Sequence, residues 1–197
     1  MNERTTLLLV RHAPTPVTRA FRFPLDEELD DHGRQLATGL TGKLRAVRAV
    51  TSGARRCRET AAIAGFPDAE VDPDLAELDF GTWAGQDPHD LWKQDRARLE
   101  AWYADPASDA PDGGERFDGL QQRVVGVLDR LVATGERTVV FTHGGPIKAA
   151  VLHALDAPPS AMWRIDVAPC SVTELHGRPG GGLTVASCNV PVGAVAP

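Results

Sequence analysis

Two histidines in this chain each follow an apolar run. Leu7-Leu8-Leu9-Val10 leads into Arg11-His12, and Val139-Val140-Phe141-Thr142 leads into His143-Gly144-Gly145. An imidazole can act as a nucleophile and carry protons near neutral pH. Beside an arginine it suits an anion, and phosphate is the obvious candidate. One histidine at the end of an apolar run is more often structural than catalytic, but two in matching context are less easily dismissed. The glycines after His143 let a backbone approach a ligand, and a helix start there offers free N–H groups to an anion. Arg55, Arg56 and Arg58 cluster at the start of an expected helix. Cations at a helix N-terminus oppose the macrodipole unless an anion is near. Two of the three read as solvated surface residues, and one is expected to point to the site. Glu77 stands in an apolar loop beside Leu75, Leu78 and Phe80. A carboxyl group there can donate a proton. An ordinary exposed loop glutamate is the alternative.

To meet, these groups need a sheet. Short apolar runs bounded by breakers read as buried strands, at Leu7–Val10 and at Thr138–Thr142. If both are central and parallel, their carboxyl ends open on one crevice, where open α/β sheets place ligands. Pro14 to Asp30 reads as a loop whose Arg19 and Arg22 could fold over a ligand or simply face solvent. Helices are expected at Asp31–Arg45, Ala54–Ala64, Asp87–Trp102, Glu115–Val132 and Pro146–Leu155. In the first of these, Leu36, Leu40 and Leu44 form an apolar stripe. Ser52 is the expected N-cap of the second. Ala46–Thr51 and Glu70–Val71 read as short strands, Leu75–Gly85 and Asp105–Gly114 as loops. Residues 163–167, 171–176 and 183–189 read as strands, with a Gly177–Gly182 hairpin. Strands alternating with helices predict an α/β fold, a three-layer sandwich whose mostly parallel central sheet has helices on both faces.

The whole chain, residues 1–197, is expected to form a single domain. Its 42% hydrophobic and 24% charged residues are ordinary for a soluble globular protein. The net charge of -6 argues against nucleic acid and anionic membrane as partners, so any anion site must be a local cluster. Cys57, Cys170 and Cys188 have neither even count nor CxxC spacing. They read as small buried hydrophobes in a reducing compartment. The apolar run near the N-terminus is too short for a signal peptide or membrane span, so a cytoplasmic location is expected.

The chain resembles the histidine phosphatase superfamily, also called phosphoglycerate mutase-like. Leu9-Val10-Arg11-His12-Ala13-Pro14-Thr15 is similar to its LxRHGxT signature, and the stretch Thr51 to Ala61 to its SSPLxRAxQTA element, in a register that selects Arg56. Leu75 to Gly85 is similar to LxExxFGxWEG and places the acid on Glu77. Pro111-Asp112-Gly113-Gly114-Glu115 is similar to PxGES, and Thr142-His143-Gly144-Gly145 to the second histidine motif. Ala13 replaces a glycine, Gly53-Ala54 replace Pro-Leu, and the stretch after Thr15 lacks the frequent asparagine.

The resemblance implies a phosphomonoesterase that works in two steps. His12 attacks phosphorus, Arg11, Arg56 and His143 hold the phosphoryl oxygens, and Glu77 protonates the leaving alkoxide and then activates water. Thr15 and Gly144 join the substrate-binding set. The arginines supply the positive charge, so no metal or other cofactor is called for. A neutral His12 and a cationic His143 are expected. The implied partner is a small phosphorylated metabolite, and the edge formed by the C-terminal strands could pair with a second chain as a homodimer.

Mutases of this superfamily carry an insertion after the glutamate motif. Here only Gln86 to Glu115 separates the two motifs, which favours a phosphatase. Within the superfamily the chain is most similar to α-ribazole phosphatases, through the Trp92–Trp102 helix and Pro159 to Val167. That makes α-ribazole 5'-phosphate a candidate substrate. Trp83, Trp92, Trp102 and Trp163 could stack on an aromatic ligand or pack in the core. A broad-specificity or sugar-phosphate phosphatase, a mutase-type phosphotransferase and a phosphate-binding module without turnover are the alternatives.

Overall fold

In the computed structural model, β1 (Thr5–Arg11) lies at the centre of a six-stranded sheet. Residues 4–192 are described, and residues 1–3 and 193–197 of the expected domain lie outside them. After β1 come α1 (Pro16–Arg19), α2 (Asp31–Thr38), β2 (Arg48–Thr51), α3 (Arg55–Ala64) and β3 (Glu70–Val71). Then follow α4 (Pro88–Gln94), α5 (Arg96–Ala104), α6 (Phe117–Thr134), β4 (Thr138–Thr142) and α7 (Gly144–Ala154). β5 (Ser171–Gly177) and β6 (Thr184–Pro191) end the described chain.

The strand order is β3-β2-β4-β1-β5-β6. β1 pairs with β4, β4 with β2 and β2 with β3 in parallel, while β5 and β6 add an antiparallel edge. The sheet is thus mostly parallel. Leu7 and Leu9 face a core shared with Leu120, Val124 and Leu128 of α6 and Ile147 of α7. Leu8 and Val10 face the opposite core, with Leu40, Leu44 and the α3 residues Ala61 and Ala64. Because both faces of β1 are covered, its apolar run is unbroken rather than alternating.

This sandwich sets the geometry that matters. β1 and β4 are parallel neighbours with Arg11 opposite Thr142. The His12 N–H donates to the Thr142 carbonyl at 2.9 Å, so the two strand ends stop level. The Ser52 N–H donates to the Phe141 carbonyl at 2.9 Å and brings the end of β2 to the same height.

Several boundaries differ from expectation, each for a local reason. The first helix ends at Thr38 rather than Arg45, because the chain passes into turns around Gly39 and Gly42, the latter at φ 71°. Leu36 is therefore exposed, while Leu40 and Leu44 are buried from the turns that follow. The Asp87–Trp102 segment is two helices broken at Asp95, whose carboxylate accepts from the Arg98 N–H and restarts the helix. The stretch at 163–167 is not a strand: Pro158 and Pro159 open a 3-10 turn over Pro159–Arg164. The Pro14–Asp30 loop contains α1, and the Leu75–Gly85 loop contains a 3-10 turn at Gly81–Trp83. Cys57 is buried as expected, but Cys170 is half-buried and Cys188 is exposed.

Candidate active site

His12 and His143 leave the ends of β1 and β4 and meet edge to face, with ring centroids 5.1 Å apart. Both are fully buried. Arg56 enters between them from the first turn of α3. Its Nε donates to His12 Nε2 at 3.2 Å, and its Nη2 donates to His143 Nδ1 at 3.1 Å. Arg55 and Arg58 stay exposed, and Arg55 pairs with Glu28. The arginine cluster is thus sorted by geometry, with Arg56 alone inside.

These contacts fix the tautomers. His12 Nδ1 lies 2.7 Å from the Ala13 carbonyl, which can only accept. Nδ1 therefore carries the proton and Nε2 keeps its lone pair. A guanidinium cannot accept, so His143 Nδ1 accepts from Arg56. His143 Nε2–H then points to Ser52 Oγ at 2.9 Å. Ser52 was expected to cap α3, but Ala54 occupies that position without a side-chain bond, and the serine hydroxyl orients His143 instead.

Burial, followed by the Arg56 guanidinium, holds His12 well below the usual imidazole range. His143 is held low as well, by burial first and then by His12, Arg56 and Arg11. Both surroundings favour the neutral ring, whereas the expected cationic His143 was tied to a bound phosphate. A dianionic phosphoryl group between them would reverse the local field and favour the charged form.

Arg11 reaches from the β1 end beside them. Its Nη1 donates to the Val167 carbonyl, and its buried Nε has no partner among the described residues. Glu77 comes from the loop opposite. Its Oε1 accepts from the Gly145 N–H at 3.1 Å and from its neighbour Leu78 N–H at 2.9 Å. Gly145 belongs to the first turn of α7, so Glu77 sits on a helix N-terminus. A Cβ at Gly145 would stand 2.2 Å from Glu77 Oε1, so this approach requires glycine.

A feature without a local sequence signal supports Glu77. Arg123 of α6 donates to the carbonyls of Asp74 and Ala76, both at 2.7 Å, and of Glu77 at 3.1 Å. Two further bonds join it to Glu115, at 2.8 and 2.7 Å. The Pro111–Glu115 element thus reaches Glu77 through Arg123.

Thr15 does not join the cluster. It is fully buried, its hydroxyl donates to Glu27 at 2.9 Å, and its Oγ caps α1 by accepting from the Thr18 N–H. Its place in the substrate set is corrected to a structural one, since a small hydroxyl ahead of a short helix is a natural cap. Gly144, at the start of α7, does face the cleft.

The cleft consists of two adjoining hollows, of about 210 and 270 Å³, that share Arg11, Glu77, Phe80, Trp102 and Trp163. Phe21, Arg22 and Phe23 from the Pro14–Asp30 segment line one of them. Lys148 and Asp166 line the other. Sequence reasoning missed both of these. The available signal for Lys148 was its place one turn beyond the Gly144-Gly145 pair on the helix that leaves the site. Trp83 and Trp102 are buried, whereas Trp92 and Trp163 are partly exposed. Among the described residues there is no cluster of metal-ligating side chains, and no helix is long and apolar enough to cross a membrane.

Residues 7–190 match the model of the histidine phosphatase superfamily (branch 1). A protein of Mycobacterium tuberculosis named as bifunctional is 33% identical over 185 residues, 87% of this chain and 50% of the relative. The chain therefore spans about half the length of that relative. A metal-independent phosphoserine phosphatase of Arabidopsis thaliana is 30% identical over 194 residues, covering 90% of this chain and 79% of the relative. An adenosylcobalamin/α-ribazole phosphatase of Salmonella typhimurium is 27% identical over 165 residues, 79% of this chain and 75% of the relative. Among solved structures, a mycobacterial glucosyl-3-phosphoglycerate phosphatase in complex with VO3 superposes with a TM-score of 0.82 at 26% identity, covering 95% of this chain and 99% of that one.

Proposed function

Because the chain belongs to the histidine phosphatase superfamily (branch 1), we propose that it is a phosphomonoesterase that acts on a small phosphorylated metabolite through a phosphohistidine at His12. One observation carries this reading. His12 Nδ1–H is spent on the Ala13 carbonyl, so the unprotonated Nε2 faces Arg56 in the cleft. A neutral, oriented imidazole beside a buried cation is a nucleophile ready for an anionic substrate.

The reaction then runs in two displacements. His12 Nε2 forms a bond to phosphorus as the ester oxygen leaves, and the Glu77 carboxyl gives that oxygen its proton. Arg11, Arg56 and His143 take the negative charge of the phosphoryl oxygens, where fixed cations and dipoles do most of the work of phosphoryl transfer. Next, the Glu77 carboxylate takes a proton from water. The water oxygen bonds to phosphorus, the N–P bond breaks, and phosphate leaves with His12 restored. Relatives named as phosphatases for phosphoserine and α-ribazole esters support hydrolysis as the outcome.

Turnover of p-nitrophenyl phosphate tests this directly. The unaltered protein should hydrolyse it and His12→Ala should not. Equal rates from the two would end the proposal.

A further inference from the structure

The hollow beyond Glu77 is rich in donors that have nothing to donate to. Arg11 Nε and Trp102 Nε1 are both buried without a hydrogen-bond partner among the described residues, and both residues line this hollow. Lys148 lines it as well, from the second turn of α7. Its Nζ lies 5.8 Å from the Trp163 ring centroid, and Trp163 packs against Trp102 at 4.9 Å. Glu77 and Asp166 act on Lys148 only through space, with no ion pair to either within 4.0 Å. Burial lowers the affinity of this amine for its proton. Orphaned buried donors are costly, and a cavity that keeps two of them beside a half-buried amine is shaped for acceptors brought by a ligand.

Arg11 serves the phosphoryl group, which leaves Lys148 and Trp102 for whatever stands on the alcohol side. We infer that the alcohol released by this enzyme bears a carboxylate, and that Lys148 is the residue that recognises it. The occupant is a single carboxylate rather than a second phosphate, because Asp166 also lines the hollow and opposes a dianion more strongly than a single negative charge. Phe80 and Trp163 offer an apolar flank to the short carbon chain that joins the two anionic ends. Phosphomonoesters of small hydroxy acids and hydroxy amino acids have this form. The inference rests on the phosphomonoesterase reading and assigns its leaving-group side.

Matched substrates isolate the carboxylate. O-phospho-L-serine differs from O-phosphoethanolamine, and 3-phosphoglycerate from glycerol 3-phosphate, by that group. The unaltered protein should prefer the carboxylate member of each pair by about tenfold or more in kcat/KM, the scale of one charge-assisted hydrogen bond. Lys148→Met should erase the preference, read as a ratio within each pair, and Lys148→Arg should keep most of it. Equal turnover within both pairs would overturn the inference, even if Lys148→Met fails to fold. A preference that survives Lys148→Met would also overturn it, as would faster turnover of α-ribazole 5'-phosphate than of either carboxylate ester. Failure to hydrolyse even p-nitrophenyl phosphate would instead defeat the parent reading, and this inference with it.

Discussion

Arg56 and His12 share one lone pair: the arginine Nε donates to His12 Nε2 at 3.2 Å, the nitrogen to which the proposed mechanism assigns the attack on phosphorus. The guanidinium aims the ring and opposes its protonation, and a phosphoryl oxygen can replace the imidazole as its acceptor. Lysine keeps the charge but not the planar fork that reaches both His12 and His143. Arg56→Lys should therefore lower kcat/KM for p-nitrophenyl phosphate by about 100-fold or more, the scale of losing one preorganised donor. Steady-state kinetics on the folded variant check this, and a loss of only a few-fold would contradict it.

Stability should fall on mild acidification. His12 and His143 both bind protons less well in the folded state than at the ordinary imidazole value of 6.5. Between that value and their depressed ones the unfolded chain holds more protons. The stabilisation is thus full above about pH 6.5 and is lost as the pH falls below it. The slope approaches about 1.4 kcal/mol per pH unit for each histidine. Urea unfolding midpoints between about pH 7.5 and 5 should drop accordingly, and His143→Asn should flatten the curve. Midpoints unchanged over that window would show that the rings are not held neutral.

The seat of Glu77 can be disturbed without touching the acid itself. An alanine Cβ at Gly145 would meet Glu77 Oε1 at 2.2 Å, and the far end of a side chain can move aside. Gly145→Ala should fold but lose its proton donor. It should then mimic Glu77→Gln, with turnover of alkyl phosphates falling about 100-fold and that of p-nitrophenyl phosphate much less, because the nitrophenolate leaves without a proton. Rates on paired substrates decide this; equal losses on both would remove Glu77 from the acid role.

Arg123 holds the backbone of residues 74–77 with three bonds and binds Glu115 with two more. Arg123→Met leaves those acceptors unpaired at partly buried positions and should cost about 1–3 kcal/mol of stability. It should also lower kcat on alkyl phosphates more than on p-nitrophenyl phosphate, since it loosens Glu77. Denaturation midpoints and the paired-substrate ratio report the two effects separately. A stability loss with an unchanged ratio would make Arg123 purely structural.

What could be read in advance follows from what a sequence encodes locally. Leu7–Val10 and Val139–Phe141 are buried on both faces, so their strands announce themselves as unbroken apolar runs, and the residues at their ends come with them. Arg56 could be singled out from Arg55 and Arg58 only through a family register. The hydroxyl of Ser52 was misread because capping is a local pattern, whereas its partner His143 lies 91 residues away. Arg123 and Lys148 have no such local signal for the same reason: their roles exist only once α6 and α7 pack around Glu77. The protonation of His143 depends on burial first, which residue type does not encode.

The central claim is that His12 carries the phosphoryl group between the two displacements. Rapid acid-free quenching of the protein with radiolabelled substrate, followed by peptide mapping, measures it. The account predicts one acid-labile, base-stable phosphoryl group per chain on the peptide holding His12, absent from His12→Ala. Steady turnover with no label on that peptide, or full activity in His12→Ala, would contradict it.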